Sequence, residues 1–560
     1  MDVAADIKRH GKHYTPEVLA AFVARRLVLQ LDAGVTEVSV LDPACGDGEL
    51  LLAIHRELSV TYPNASIYLT GFDIDADAIS LAAKRLDSNG ISANLQVRDF
   101  IEHSRSVRGR KFDLVVMNPP YVRTQQLGSE AAKLLAQEFS LSGRIDLTHP
   151  FVSIAARLLK GDGALGLISS NRYLTTKSGE NIRRCLSHEV HPVEIYDLGD
   201  TKLFKAAVLP AVTIASRQPR ASNCRFSSSY ISVATDHVVT ARNLFDALTS
   251  GEQITVDHNG TPVEVKCGNL NLEKDTSVPW RISTTEGDDW LDTIIAGKWT
   301  TFGDLAKIRV GIKTTADKVF ISKTWNRDEP DIEGELLYSL VSQKDVSAWS
   351  ITDELPSRVL YPYDMQKHKR SVLDIAQYPG AQQYLEKHRD QLEGRKYVIE
   401  GGRRWYEIWV PQSPALWSAP KIIFPDISED PRFAIDYSGH IVNGNCYWIS
   451  IDDLASPDIG YLMLAVANSA VGTRFYDETS GNKLYSGKRR WMTQYVSRFP
   501  VPYPELEESR RLIELAKGLC EKRLAADEPL LAEIDELVLA AFRSGTRDHE
   551  PQEDGSLALF

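Results

Sequence analysis

Phe112-Asp113-Leu114-Val115-Val116-Met117-Asn118-Pro119-Pro120-Tyr121 is the stretch that decides how this chain is read. A strand-forming run ends in a polar residue and two prolines. Pro-Pro removes two amide donors and fixes φ, so neither a central strand nor a helix interior can continue through it. The strand must stop at Met117, which leaves Asn118 at its carboxyl end on a stiff turn. Upstream, Val38-Ser39-Val40-Leu41 runs in the same way into Asp42-Pro43-Ala44-Cys45-Gly46-Asp47-Gly48. Two glycines there allow a tight turn and a close approach of backbone to ligand.

Further strand-like runs are Ile67–Phe72, Ala93–Val97, Ala164–Ser169, Val193–Leu198 and Val208–Ala215, with helical stretches Leu50–Leu58, Ala76–Leu86 and Pro150–Leu159 between them. Thr15-Pro16-Glu17 reads as a helix start, with a Thr cap and Pro in the first turn. Such alternation predicts an α/β fold with a largely parallel sheet, whose ligands bind outside the carboxyl ends of the strands.

The helix after the glycine turn offers free amides to a charged group. Taken alone, the turn is equally readable as a plain strand-to-helix connection. Asp73 closes the next strand, where an acid can accept both hydroxyls of a ribose. The three-glycine pyrophosphate fingerprint is absent. A nucleoside-type cofactor without pyrophosphate is therefore expected, S-adenosylmethionine rather than NAD. Asp99-Phe100 ends the third strand, where the carboxylate can accept from an adenine amino group and the ring can pack on the base. Asn118-Pro119-Pro120-Tyr121 suits a planar amine. Its lone pair is delocalised, and two acceptors holding both hydrogens favour a pyramidal, nucleophilic nitrogen. Positioning and electrostatics then supply most of the catalysis.

In this order, Tyr14-Thr15-Pro16, the glycine turn with Asp42, Ala44, Gly46 and Gly48, Asp73, Asp99-Phe100 and Asn118-Pro119-Pro120-Tyr121 resemble the γ-class of DNA adenine-N6 methyltransferases, the TaqI-like and Eco57I-like methylases of restriction–modification systems. The resemblance implies a Rossmann-like class I methyltransferase domain followed by a mixed α+β target-recognition domain. It implies that Asn118 and the Pro119 carbonyl accept from the N6 amino group of a flipped-out adenine, and that Tyr121 stacks on that base. Asp146, ahead of the helix with Phe151, resembles the family segment bordering the methionine end of the cofactor. Phe204 resembles a second aromatic against the target base; a core Phe at a strand entrance is the alternative.

From Asn223–Ser232 and Asp257–Gly260 the chain is polar and turn-rich, which places a boundary near residue 220. The expected organisation is a catalytic domain over 1–220, a specificity domain over 221–505, a helical segment over 506–545 broken at Asp527-Glu528-Pro529, and a disordered tail over 546–560. Three clusters mix bases with aromatics: Ile308–Phe320 with Lys313, the stretch from Lys396 to Trp409 with Arg403 and Arg404, and Asn482–Trp491 with Lys483, Lys488, Arg489 and Arg490. They are read as DNA-binding surface. The first and third also resemble, more weakly, the family's specificity domain, with Gly311-Ile312-Lys313-Thr314 near its start and Pro500-Val501-Pro502 near its end.

The formal charge of −12 over 560 residues disfavours a protein that coats nucleic acid, but a DNA enzyme needs only local basic surface. The six cysteines lack metal-ligand spacing, and no metal is expected. No signal peptide or membrane segment is legible, so the cytoplasm is the expected place. The cofactor motif begins near residue 11, leaving no room for an N-terminal nuclease; cleavage is expected from a separate protein. Two other readings remain open: the same fold methylating guanine N2 in RNA or a protein glutamine, and a DNA-binding defence subunit active only with a partner.

Overall fold

A computed structural model describes residues 14–107, 109, 111–120, 129–141, 147–201, 209–218, 223–231, 239–240, 242–270, 276, 278–325, 329, 331–480 and 488–548. The chain divides into two compact units, one ending at residue 285 and one beginning at 286.

All seven strands expected in the first unit form: β1 Glu37–Asp42, β2 Ser66–Asp73, β3 Ala93–Val97, β4 Phe112–Met117, β5 Leu159–Ser170, β6 His191–Asp197 and β7 Pro210–Ser216. Their order is β3-β2-β1-β4-β5-β7-β6, parallel from β3 to β5, with β7 antiparallel between β5 and β6. Both faces of the sheet are covered, as a parallel sheet requires. Val38, Val40, Leu114 and Val116 pack into one core, with helices α1 Glu17–Val28 and α2 Glu49–Thr61. Leu41, Val115 and Met117, of the opposite parity, pack into the other, beneath helix α5 Thr148–Leu158. α3 Ala76–Ser88 and the short α4 Phe100–Ser104 follow β2 and β3. The short-period alternation of the sequence is thus spent on two cores rather than on a core and a solvent face.

The boundary expected near residue 220 falls inside this sheet. β8 Arg225–Ile231 pairs parallel with β6, and the hairpin of β10 Ile254–His258 and β11 Thr261–Leu270 continues the same sheet. β9 Val239–Thr240 and β12 Ile282–Ser283 complete it. Asp257–Gly260, expected to mark a domain boundary, is a hairpin turn. Asn259 and Gly260 both have positive φ, 54° and 78°, and His258 pairs with Thr261. Asn-Gly favours this two-residue turn because both central residues must enter left-handed space.

The second unit loses the alternation, as expected. One sheet joins Arg309–Val310, Cys446–Ser450, Lys421–Pro425 and Ala434–Asp436; another joins Ile321–Ser322, Arg358–Leu360, Leu337–Val341 and Ile441–Val442. Pro500–Pro502 pairs with Lys298–Thr301. Helices Glu507–Cys520 and Glu528–Asp548 pack onto the same core as Trp491 and Phe499. The helix break falls where Asp527-Glu528-Pro529 predicts it. The second helix runs past residue 545 to Asp548, and residues 549–560 lie outside the described residues. Among the described residues no helix is long and apolar enough to cross a membrane.

Candidate active site

β4 lies beside β1, with Val40 opposite Leu114 and Leu41 opposite Val115; β2 flanks β1 on its other side, with Asp42 opposite Gly71. All three strands are parallel, so the glycine turn, Asp73 and Asn118-Pro119-Pro120 leave the sheet at one edge. The sequence places each at a strand end; the strand order makes them neighbours.

Asp42 is fully buried. Its Oδ1 accepts from the Ala44 amide at 3.1 Å, while Oδ2 has no partner among the described residues. Burial pushes this carboxyl up to about 8; the Ala44 amide opposes the shift, and Asp73 and Asp47 add to it. A buried oxygen without a hydrogen-bond partner is costly, and a polar ligand group that paired with it would remove that cost. Asp73 is half-buried. Its Oδ2 accepts from the Gly46 amide and its Oδ1 from the Asp75 amide, both at 2.9 Å. Asp73 therefore also clamps the glycine turn onto the end of β2. Gly46 has φ +52°, and a Cβ there would lie 3.4 Å from the Tyr14 ring. Gly48 has φ +79°, and its Cβ would lie 3.0 Å from that of Ala82. The cradle exists because both positions lack a side chain. Half-buried Ala44 and exposed Tyr14 border it. These features fit a ligand with hydroxyl and amino donors. Burial also pushes the Cys45 thiol well up.

Thr15 departs from its expected role. The cap of α1 is Pro16, and no side chain caps that helix. The Thr15 hydroxyl instead accepts from Asn118 Nδ2 at 3.2 Å, across 103 residues of sequence. No sequence signal could have paired them. The bond turns the carboxamide so that Oδ1 points away from Thr15. Pro119 is buried and Pro120 half-buried.

Asp99 is exposed and caps α4, its Oδ1 accepting from the Glu102 amide at 3.1 Å. Phe100, expected to pack on a base, is buried beside Phe72 and Phe151, with ring centroids 5.8 and 5.5 Å away. Tyr121, Asp146, Phe204 and Lys483 lie outside the described residues.

The expected DNA-contacting residues are scattered through the second unit. Lys313 and Lys488 are exposed. Arg403 donates to the carbonyls of Ile408 and Trp409 and lies 4.7 Å from the Trp409 ring centroid. Arg404 is exposed but donates to Tyr406 Oη at 2.6 Å. Arg489 forms two 2.8 Å bonds to Asp477 and a third to the Glu429 carbonyl. Arg490 spans 3.3 and 3.2 Å to Asp426. Arg403 and Arg489 thus have internal partners. The Gly311–Thr314 segment is likewise a packing motif: a Cβ on Gly311 would lie 2.1 Å from the Asn443 carbonyl oxygen, and Thr314 is buried.

Residues 55–204 match the Eco57I restriction-modification methylase family. The chain is 38% identical over 539 residues to the type II methyltransferase M.BanIII of Aneurinibacillus aneurinilyticus, covering 91% of this chain and 93% of that one. It is 27% identical to the type II methyltransferase M.PaeR7I of Pseudomonas aeruginosa, covering 93% and 90%. Among solved structures, the type IIL restriction-modification enzyme MmeI in complex with DNA shares the fold, with a TM-score of 0.60, 13% identity, and coverage of 96% of this chain and 74% of that one. The chain belongs to the type II methyltransferase family of restriction–modification systems, and its first unit is a Rossmann-like class I methyltransferase domain whose cofactor is S-adenosylmethionine.

Proposed function

We propose that this protein is a site-specific DNA methyltransferase that transfers a methyl group from S-adenosylmethionine to the N6 amino group of an adenine flipped out of duplex DNA, as the modification component of a restriction–modification or related defence system. A separate endonuclease would supply cleavage. The observation that carries the reading is the placement of Asn118-Pro119-Pro120 one strand away from the glycine turn, with Asn118 bonded to Thr15.

Tyr14, Thr15, Asp42, Ala44, Gly46, Gly48, Asp73, Asp99, Phe100, Asn118 and Asp146 would hold the cofactor. Asp73 would take the ribose hydroxyls, and Asp42 would pair its unpartnered oxygen with a polar group of the cofactor. Bound there, the cofactor supplies an electrophilic methyl group on its sulfonium. Asn118 Oδ1 and the Pro119 carbonyl would accept from the two N6 hydrogens, which localises the lone pair on nitrogen and aims it. The target nitrogen is buried in a duplex, so the base must leave the stack; Tyr121 and Phe204 would replace part of the lost stacking. No covalent nucleophile takes part.

Transfer of tritiated methyl groups from S-adenosylmethionine to unmethylated plasmid DNA, followed by sequencing for N6-methyladenine, tests this. Label in adenine at one recurring motif is expected. Label in RNA or protein alone would overturn the substrate. No label anywhere, despite cofactor binding, would favour the partner-dependent subunit.

A further inference from the structure

Lys367-His368-Lys369-Arg370 is an exposed, consecutive basic run in a chain whose formal charge is −12. It is the tip of a hairpin-like loop with a fixed stem. Tyr363 bridges Val372 in antiparallel fashion, the Asp364 amide donates to the Ser371 carbonyl at 2.9 Å, and the Leu373 amide donates to the Pro362 carbonyl at 3.0 Å. At the tip, the Lys367 carbonyl accepts from the Ala415 amide at 3.1 Å. Beneath it, buried Tyr363 receives the Ile408 amide on its hydroxyl at 2.9 Å. The backbone is therefore held while the cationic ends project, which lowers the ordering cost of binding.

The charges differ in their surroundings. Arg370 lies 3.4 Å from buried Glu407, and Asp364 Oδ1 is engaged by the Gln366 amide at 2.9 Å. Arg404 joins the same patch, 3.8 Å from Asp374 beside the stem, and the Tyr406 hydroxyl donates to the Leu373 carbonyl at 3.0 Å. Lys367 and Lys369 have no acidic partner among the described residues. Arg489, by contrast, is committed to Asp477.

We infer that the Lys367–Arg370 loop is a phosphate-contacting element that grips the backbone of duplex DNA, with Lys367 and Lys369 as its contacts. This rests on the DNA reading above and says where in the second unit part of the phosphate affinity resides. Lysines act as compact point charges that suit phosphate and carry little base information. A net-acidic enzyme needs such a local element to bind a polyanion.

The test is equilibrium binding of the full-length protein to a short mixed-sequence duplex, by fluorescence anisotropy, over a series of NaCl concentrations. Unaltered protein, Lys367→Ala/Lys369→Ala, the reversal Lys367→Glu/Lys369→Glu, and the exposed first-unit pair Lys84→Ala/Lys266→Ala are compared. Each lost phosphate contact removes about 0.9 from the salt slope, so the double alanine variant should lose about 1.8. The reversal should weaken binding further, the first-unit pair should keep the slope, and all should melt like the parent. An unchanged slope in the loop variants overturns the inference alone. Equal loss in the first-unit pair overturns it too, because net charge would then suffice. No duplex binding by the unaltered protein overturns the DNA reading and the loop together.

Discussion

Replacing Thr15 with Val separates the positioning of Asn118 from its chemistry. The two side chains are nearly isosteric, so the change removes a hydroxyl and little volume. What is lost is one neutral N–H···O bond of 3.2 Å, at the long end of the normal range. Such bonds contribute about 0.5–1.5 kcal/mol, and the length argues for the lower part, up to about 1 kcal/mol. If that energy holds the carboxamide in its productive orientation, kcat should fall by about 2- to 5-fold. Asn118→Ala removes an acceptor from the reacting amine itself and should cost about 10²- to 10³-fold, the scale of losing one electrostatic stabiliser from an active site. The assay is methyl transfer to plasmid DNA at saturating cofactor and DNA. Cofactor affinity is measured separately by calorimetry, because Thr15 also stands in the proposed cofactor set. Thr15→Ser, which restores the hydroxyl, should recover most of kcat. Full kcat in Thr15→Val would refute the positioning role. A loss equal to that of Asn118→Ala would show that Thr15 does more than orient its neighbour.

Asn118→Ala should leave cofactor affinity within a few-fold of the parent, and a parallel collapse in calorimetry would place Asn118 mainly in the cofactor site. Asp42 has its folded proton affinity raised from 3.8 to about 8, so between those values the folded state binds more protons than the unfolded state. Its contribution therefore favours folding at low pH and is lost as pH rises through that window. Asp42→Asn should flatten this decline in thermal midpoint against pH; an identical slope would show that Asp42 is not its source. Gly311→Ala drives a Cβ to 2.1 Å from the Asn443 carbonyl oxygen, and overpacking of this kind costs about 1–3 kcal/mol in denaturant unfolding. Arg489→Met, which breaks a pair with Asp477, should lower stability while leaving the salt slope of DNA binding unchanged; a reduced slope would return Arg489 to the DNA surface.

Much of the first unit was legible because its signals are local. Each strand is a short apolar run, each ends at a turn former, and α/β alternation implies a parallel sheet with its ligand edge at the carboxyl ends. That reasoning found β1 to β7, the glycine turn and Asn118 without any contact information. The strand order, which sets β1 between β2 and β4, is a long-range choice, and so is the extension of the sheet by β8 to β12. The polar stretches beginning at Asn223 and Asp257 read as a boundary, and only the pairing of β8 with β6 and of β11 with β8 brings β8, β10 and β11 into the sheet. Thr15 shows the same limit at one atom: a Thr before Pro-Glu reads as a cap, but its hydroxyl bonds a residue from a distant strand end.

In the second unit, sequence by itself determined composition: which stretches are basic and which aromatic. It could not say which cations already have a partner. Asp477 pairs with Arg489 across 12 residues and Asp426 with Arg490 across 64, while Lys367 and Lys369, on a loop stem closed by Tyr363 and Val372, keep their charges for solvent. Charge is a property of the residue and is written in the sequence. Whether that charge is spent inside the fold or offered to a ligand depends on which groups the tertiary structure brings within a few ångströms.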